Sequence, residues 1–205
     1  MNGPVVTTTP PAKTGPRPAG TDTRTLVLDL HGLHLEAQLD RIQERFTPTF
    51  DNLLALFVHP PVAQPERMRG LARAFQAYFE HDDDVALELA PIRIEGLLRR
   101  HLKAMDIPVV QHAQGDRPGQ VSQLGALIGD MEPAGFEAPW PAVFRHLLAD
   151  PNEGMNLRNE VLHDLAERRT PRHRIALVLQ AALVVLRAIT AHEPPEEEPK
   201  ADTPV

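Results

Sequence analysis

The chain has 205 residues, a formal net charge of −7 and no cysteine. The missing cysteines exclude a disulfide framework and thiolate zinc sites, and they fit a reducing cytoplasm. The negative balance argues against broad electrostatic capture of nucleic acid.

Apolar residues make up 42% of the chain and aromatics only 4%. Leu, Ala and Val therefore carry the core, which favours an all-α protein over a β-sandwich. The length fits one domain, or one and a small appendage. Charge is unevenly spread. Residues 191–205 hold five acids against Lys200, whereas residues 156–190 hold six arginines against three acids. A solvated helix face is the commoner meaning of such an arginine cluster.

Residues 1–23 are Pro-, Thr- and Gly-rich and are expected to form a disordered tail without the apolar run of a signal peptide. Residues 24–83 are expected to form an N-terminal helical extension. Leu35, Leu39, Ile42 and Phe46 mark a helix over 33–46. A short apolar helix over 50–58 is stopped by Pro60-Pro61. A third runs from Pro65, a first-turn proline, to Phe79, with a core stripe of Met68, Leu71, Ala72, Phe75, Tyr78 and Phe79.

Residues 84–191 are expected to form a helical bundle. Asp82-Asp83-Asp84 caps a long helix over 85–105, in which Pro91 predicts a kink or a fresh start. Residues 106–119 read as a loop with a short extended piece at 107–110. Helices over 121–131 and 139–148 follow. Asp150-Pro151-Asn152-Glu153 has the shape of a capping box, and a fresh start at Asn156 is equally consistent with Gly154. This helix is expected to run to about Arg168. The last helix, from Thr170-Pro171 to Ala191, is apolar nearly all round, which implies a central core position or a subunit interface. Its longest apolar stretch, 175–186, is broken by Gln180 and is too short to span a bilayer. Residues 192–205 are expected to be a disordered acidic tail.

The most telling stretch is Gly154-Met155-Asn156-Leu157-Arg158-Asn159-Glu160-Val161-Leu162-His163. On a helix, Leu157, Val161 and Leu165 form the buried stripe. Asn156, Asn159 and His163 share another face, with Arg158 at its shoulder. Arg158 offers a rigid fork for phosphate and His163 a proton-transfer group near neutral pH. The bland alternative is an Arg and an Asn that satisfy local backbone and a structural His.

Arg158 and Asn159 followed by His163 resemble the R-x4-6-H signature of the HEPN superfamily of small helical domains, many of which are metal-independent ribonucleases. Three motifs in order are similar to one uncharacterised branch of it. They are Pro91-x-x-Glu95-x-x-x-Arg99, Leu124-Gly125-Ala126-Leu127, and Leu157-Arg158-Asn159 with His163. The branch has Gly after the His, where this chain has Asp164.

The resemblance implies a HEPN-like four-helix bundle. It also implies an endoribonuclease of defence or stress response that cleaves single-stranded RNA through the 2′-hydroxyl, without metal or cofactor. Arg158, Asn159 and His163 would be catalytic, and Glu95, Arg99 and Asn156 supporting. Glu95 and Arg99, one turn apart, are otherwise a surface pair. On the functional reading Glu95 holds Arg158 or His163. One His per motif favours a homodimer that brings two motifs together. The alternatives are a non-catalytic HEPN-like module that binds a protein or nucleotide, and a purely structural helical partner. No membrane association is expected. His31-x-x-His34 lacks a third metal ligand in sequence, and the three aspartates lack the glycine and glutamate of a calcium loop.

Overall fold

The computed structural model describes residues 22–58, 65–111, 120–162 and 169–191. The tails expected at 1–23 and 192–205 lie outside these residues, apart from Asp22 and Thr23 at the start of the first helix.

The protein is an all-α bundle. Helix α1 spans Thr23–Phe46, α2 Phe50–Val58, α3 Pro65–Phe79 and α4 Asp83–Ala104. After them come α5 at Leu124–Gly129, α6 at Pro139–Phe144, α7 at Leu157–Leu162 and α8 at Arg172–Ala191. Among the described residues, strand is confined to β1, Val110–Gln111, and β2, Gln120–Val121, paired antiparallel with Val110 opposite Val121.

Local chemistry explains the boundaries. The Asp22 carboxylate accepts from the Arg24 N–H and opens α1, ten residues before the expected start at Leu33. Thr47 closes it in a left-handed conformation, its N–H bonded to the Gln43 carbonyl. Asp82 accepts from the Val85 N–H and caps α4. That helix continues through Pro91, so proline does not end it here. The helix expected at 121–131 begins only at Leu124, because Val121 is spent in the β1–β2 pair and the Ser122 N–H extends the pair to Val109.

The helix expected over 139–148 is α-helical only to Phe144. Arg145–Ala149 then form a π-helical turn, closed by the Asp150 N–H on the Arg145 carbonyl at 2.9 Å. Such turns are rare and are frequent at functional sites.

Helix α8 is the centre of the bundle. It packs against α4 on one side and α1 on another, and α3 packs against α4 and α2. Ile175, Val178, Leu179, Ala182 and Val185 are all but fully buried. One continuous core therefore runs from Leu28 on α1 to Leu186 on α8. By length and composition alone the 20-residue α8 would reach across a bilayer, a test that the core helix of a bundle also passes; the stretch 175–186 is only its middle part. Much of its apolar surface is used inside the chain, whereas Leu183 stays exposed. Of the two expected roles, the core position accounts for its buried face.

The largest group of exposed apolar side chains lies on α1, where Leu26, Val27, Leu30 and Leu33 are each more than half exposed.

Candidate functional site

The site forms where α4 and α7 meet. Upstream of α7, the Asp150 carboxylate accepts from the Asn152 and Glu153 N–H groups and makes a turn rather than a helix. Of the two starts that the sequence allows, the chain uses the later one. The Met155 N–H bonds the His146 carbonyl at 2.7 Å, so the π-helical turn holds the segment that leads into the motif. Gly154 permits this, because a Cβ there would lie 2.3 Å from the same carbonyl oxygen.

Asn156 precedes α7 with φ 49°, and its carbonyl accepts from the N–H groups of Asn159 and Glu160. Asparagine tolerates this left-handed conformation better than most residues. Leu157 is buried and fixes the helix against the core.

A chain of polar contacts then crosses the site. The Asn159 Nδ2 donates to the Asn156 Oδ1 at 2.8 Å, and the Asn159 Oδ1 accepts from the Arg158 Nη1 at 2.9 Å. The Arg158 Nη2 donates to the Glu95 Oε2 at 3.3 Å. The other Glu95 oxygen accepts from the Arg99 Nη2 at 2.7 Å. That nitrogen also donates to the Ser122 carbonyl at 3.1 Å, which ties the end of β2 to α4.

Five of the six expected site residues therefore meet. Glu95 contacts both Arg158 and Arg99, so the surface pair and the cross-helix contact coexist. His163 lies outside the described residues, as does the Asp164 that follows it.

The electrostatics leave a surplus of positive charge. One carboxylate faces two guanidinium groups, and all three side chains are 17–29% exposed. Guanidinium carries five N–H donors. Arg158 spends two of them here, and its buried Nε has no partner. The arrangement can hold an arginine in a fixed pose with donors to spare, which suits an oxyanion.

The weaker candidates have ordinary roles. The His31 Nε2 bonds Gln180, and His34 bonds Gln38. Among the described residues no three His, Asp or Glu side chains group to hold a metal.

Sequence reasoning missed two clusters. Arg172 at the start of α8 bonds Asp83, reaches towards Glu36 and Asp40, and lies over the Tyr78 ring at 3.7 Å. Burial pushes the Tyr78 hydroxyl well above its ordinary range. His146, nearly fully buried, shares a hydrogen bond of 2.9 Å with the Thr25 hydroxyl. Neither has a sequence signature, because each is assembled from distant helices.

Compared with protein-family models, with curated proteins and with solved structures, the chain has no match.

Proposed function

We propose that this chain is a HEPN-like endoribonuclease that cleaves single-stranded RNA by transesterification through the 2′-hydroxyl. The observation that carries the reading is the contact between Glu95 and Arg158, with Asn159 and Asn156 behind it. It joins two of the three resembling motifs, from α4 and α7, around the phosphate-binding arginine.

In the reaction the 2′-oxygen attacks phosphorus and the bond to the 5′-oxygen breaks. One proton leaves the 2′-hydroxyl and one reaches the 5′-oxygen. The products are a 2′,3′-cyclic phosphate and a 5′-hydroxyl. His163 serves proton transfer, a contribution of roughly 10²–10⁴-fold. Arg158 stabilises the charge that develops on the phosphorane. Asn159 orients Arg158, and Glu95 fixes it from the other side. Unpaired RNA suits the site because its backbone bends into an in-line geometry.

One His per motif makes a two-fold dimer part of the proposal. Since α8 is used in the core, the apolar face for a second copy is that of α1. This helix also carries Thr25, bonded to His146 beside the motif segment.

The test incubates the purified chain and its His163→Ala variant with mixed-sequence RNA and EDTA. The expected outcome is cyclic-phosphate ends from the native chain, about 10²-fold slower cleavage by the variant, and inert DNA. Equal cleavage by both proteins means a contaminating nuclease. No cleavage by either favours the second reading, a non-catalytic HEPN-like module binding a protein or nucleotide. Two observations favour that reading: Glu95 already neutralises part of Arg158, and Asp164 stands where the resembling branch has Gly.

A further inference from the structure

A second group of arginines lies about a third of a turn round α4 from Glu95 and Arg99, by the helical repeat. There the first turn of α3 and the middle of α4 line a half-open pocket of about 280 Å³. Arg67 lines it from α3, and Arg93 and Arg100 line it from α4. Glu66 is the single acid in the lining, and Ile92 and Leu97 supply its apolar wall.

Three features set this pocket apart from an ordinary solvated cluster. First, the charges are unmatched. Arg99, Arg158, Arg169, Arg172 and Arg174 all pair with carboxylates. Among the described residues Arg67, Arg93 and Arg100 pair with none. Other arginines such as Arg24, Arg41 and Arg73 are also without a carboxylate there, but these three converge on one pocket, where the Arg100 Nε donates only to the Gly96 carbonyl at 3.3 Å. Second, Arg93 is held inward. Its Nε is buried without a hydrogen-bond partner. Its side chain crosses α3 where Gly70 leaves room, since a Cβ there would lie 2.2 Å from that nitrogen. Third, Arg100 is partly withdrawn from water. Burial, and then the charge of Arg67, lowers its pKa from the ordinary value.

Like charges held together without a counter-ion repel each other, and burial strengthens the repulsion. An anion with several oxygens relieves it and satisfies the open N–H donors. Planar guanidinium forks match phosphate oxygens in pairs. The positive end of the 15-residue α3 helix lies at the same place and adds to the field. The volume falls just below the usual range for drug-sized ligands. This fits a diphosphate or a small phosphate ester.

We propose that the Arg67, Arg93 and Arg100 pocket binds a small phosphate-bearing anion, a diphosphate group either free or carried on a small organic ester, at a site separate from Arg158. It does not depend on RNA cleavage by the chain.

The experiment measures binding to the full chain by calorimetry and thermal shift, with chloride holding ionic strength constant. Inorganic diphosphate is the first probe. The expected result is saturable binding at one site per chain with a rise in Tm. Arg67→Gln and Arg100→Gln should each weaken it at least tenfold. These side chains are exposed or half-buried, and circular dichroism checks that both variants fold. Glu66→Gln should tighten binding, because it removes the one opposing charge. A nucleoside diphosphate separates the two sources. Tighter binding than by inorganic diphosphate, lost in Ile92→Ser, assigns an ester, and equal binding assigns the free anion. A Tm equal to that in chloride overturns the proposal, as does binding unchanged by the arginine variants. Displacement of diphosphate by a single-stranded oligonucleotide in proportion to its length also overturns it, in favour of a polymer path.

Discussion

Glu95 on α4 and Arg158 on α7 stand 63 residues apart in the chain, and their side chains meet at 3.3 Å. The contact is half sheltered, so it should be worth more than an open surface pair and less than a buried one. A double-mutant cycle of Glu95→Gln with Arg158→Gln is expected to give a coupling of about 1 kcal/mol in urea unfolding. A coupling near zero would show that the pair is held together by the fold and adds nothing to it. Glu95→Gln also leaves Arg99 without its carboxylate, so the single variant should cost more than the coupling alone.

The Arg172 and Asp83 pair is more deeply placed, with side chains 15% and 12% exposed. Removing one partner strands the other charge. Asp83→Asn is expected to destabilise the protein by about 2 kcal/mol, a figure below that for a fully buried pair because some solvent remains. Glu36→Gln, which removes a more distant and more exposed neighbour at 3.9 Å, should cost well under half as much. Equal effects would mean that the cluster acts as a diffuse field rather than through one strong bond.

Gly154 and Gly125 should respond oppositely to alanine. A Cβ at Gly154 meets the His146 carbonyl and the Asp150 backbone, neither of which can swing aside. Gly154→Ala is expected to cost about 1–3 kcal/mol and to disturb the segment leading to Asn156. A Cβ at Gly125 on α5 meets nothing within 4 Å. Gly125→Ala is expected to stabilise by up to about 1 kcal/mol. Thermal unfolding of both variants is the measurement, and a stabilised Gly154→Ala would refute the close approach.

Stability should fall on acidification in two stages. Burial lowers the His146 imidazole pKa and outweighs the opposing charge of Asp22. Its folded value is below the unfolded one, so its contribution is full above about pH 6.5 and is lost as pH falls through the folded value. At Asp29, burial raises the carboxyl pKa, but the hydrogen bonds and charges of Arg174 and His173 outweigh it and the net value is lowered. That contribution is present above about pH 4 and is lost below it. Urea midpoints from pH 8 to 3 should show both limbs. His146→Gln should flatten the first and Asp29→Asn the second. A midpoint that climbs between pH 7 and 5.5 would contradict the first.

Much of this was legible in the sequence where the signal is local. Helices α2 and α3 have the expected bounds because prolines punctuate them and their apolar stripes are one-sided. The first ten residues of α1 were not legible. Leu26, Val27, Leu30 and Leu33 face solvent, so apolar residues occur on every side and no periodicity stands out. The π-helical turn was illegible for another reason. It exists because a later residue, Asp150, captures the Arg145 carbonyl, and composition carries no trace of that. The meeting of Arg158 with Glu95 follows the motif pattern, whereas the third tie, from Arg99 to the Ser122 carbonyl, depends on where a loop returns.

Helix α8 is last in chain order among the described helices, yet α1 and α4 both close on it. The bond from Arg174 back to Asp29 spans 145 residues. A ribosome that has released α1 to α7 has therefore made a shell without its centre. The apolar faces of α1 and α4 stay uncovered until α8 emerges, and loops of that length close slowly. Folding of this chain is bound to finish after synthesis of the core helix rather than during it. Messages truncated ahead of Arg172 should yield a product that chaperones hold and proteases clear.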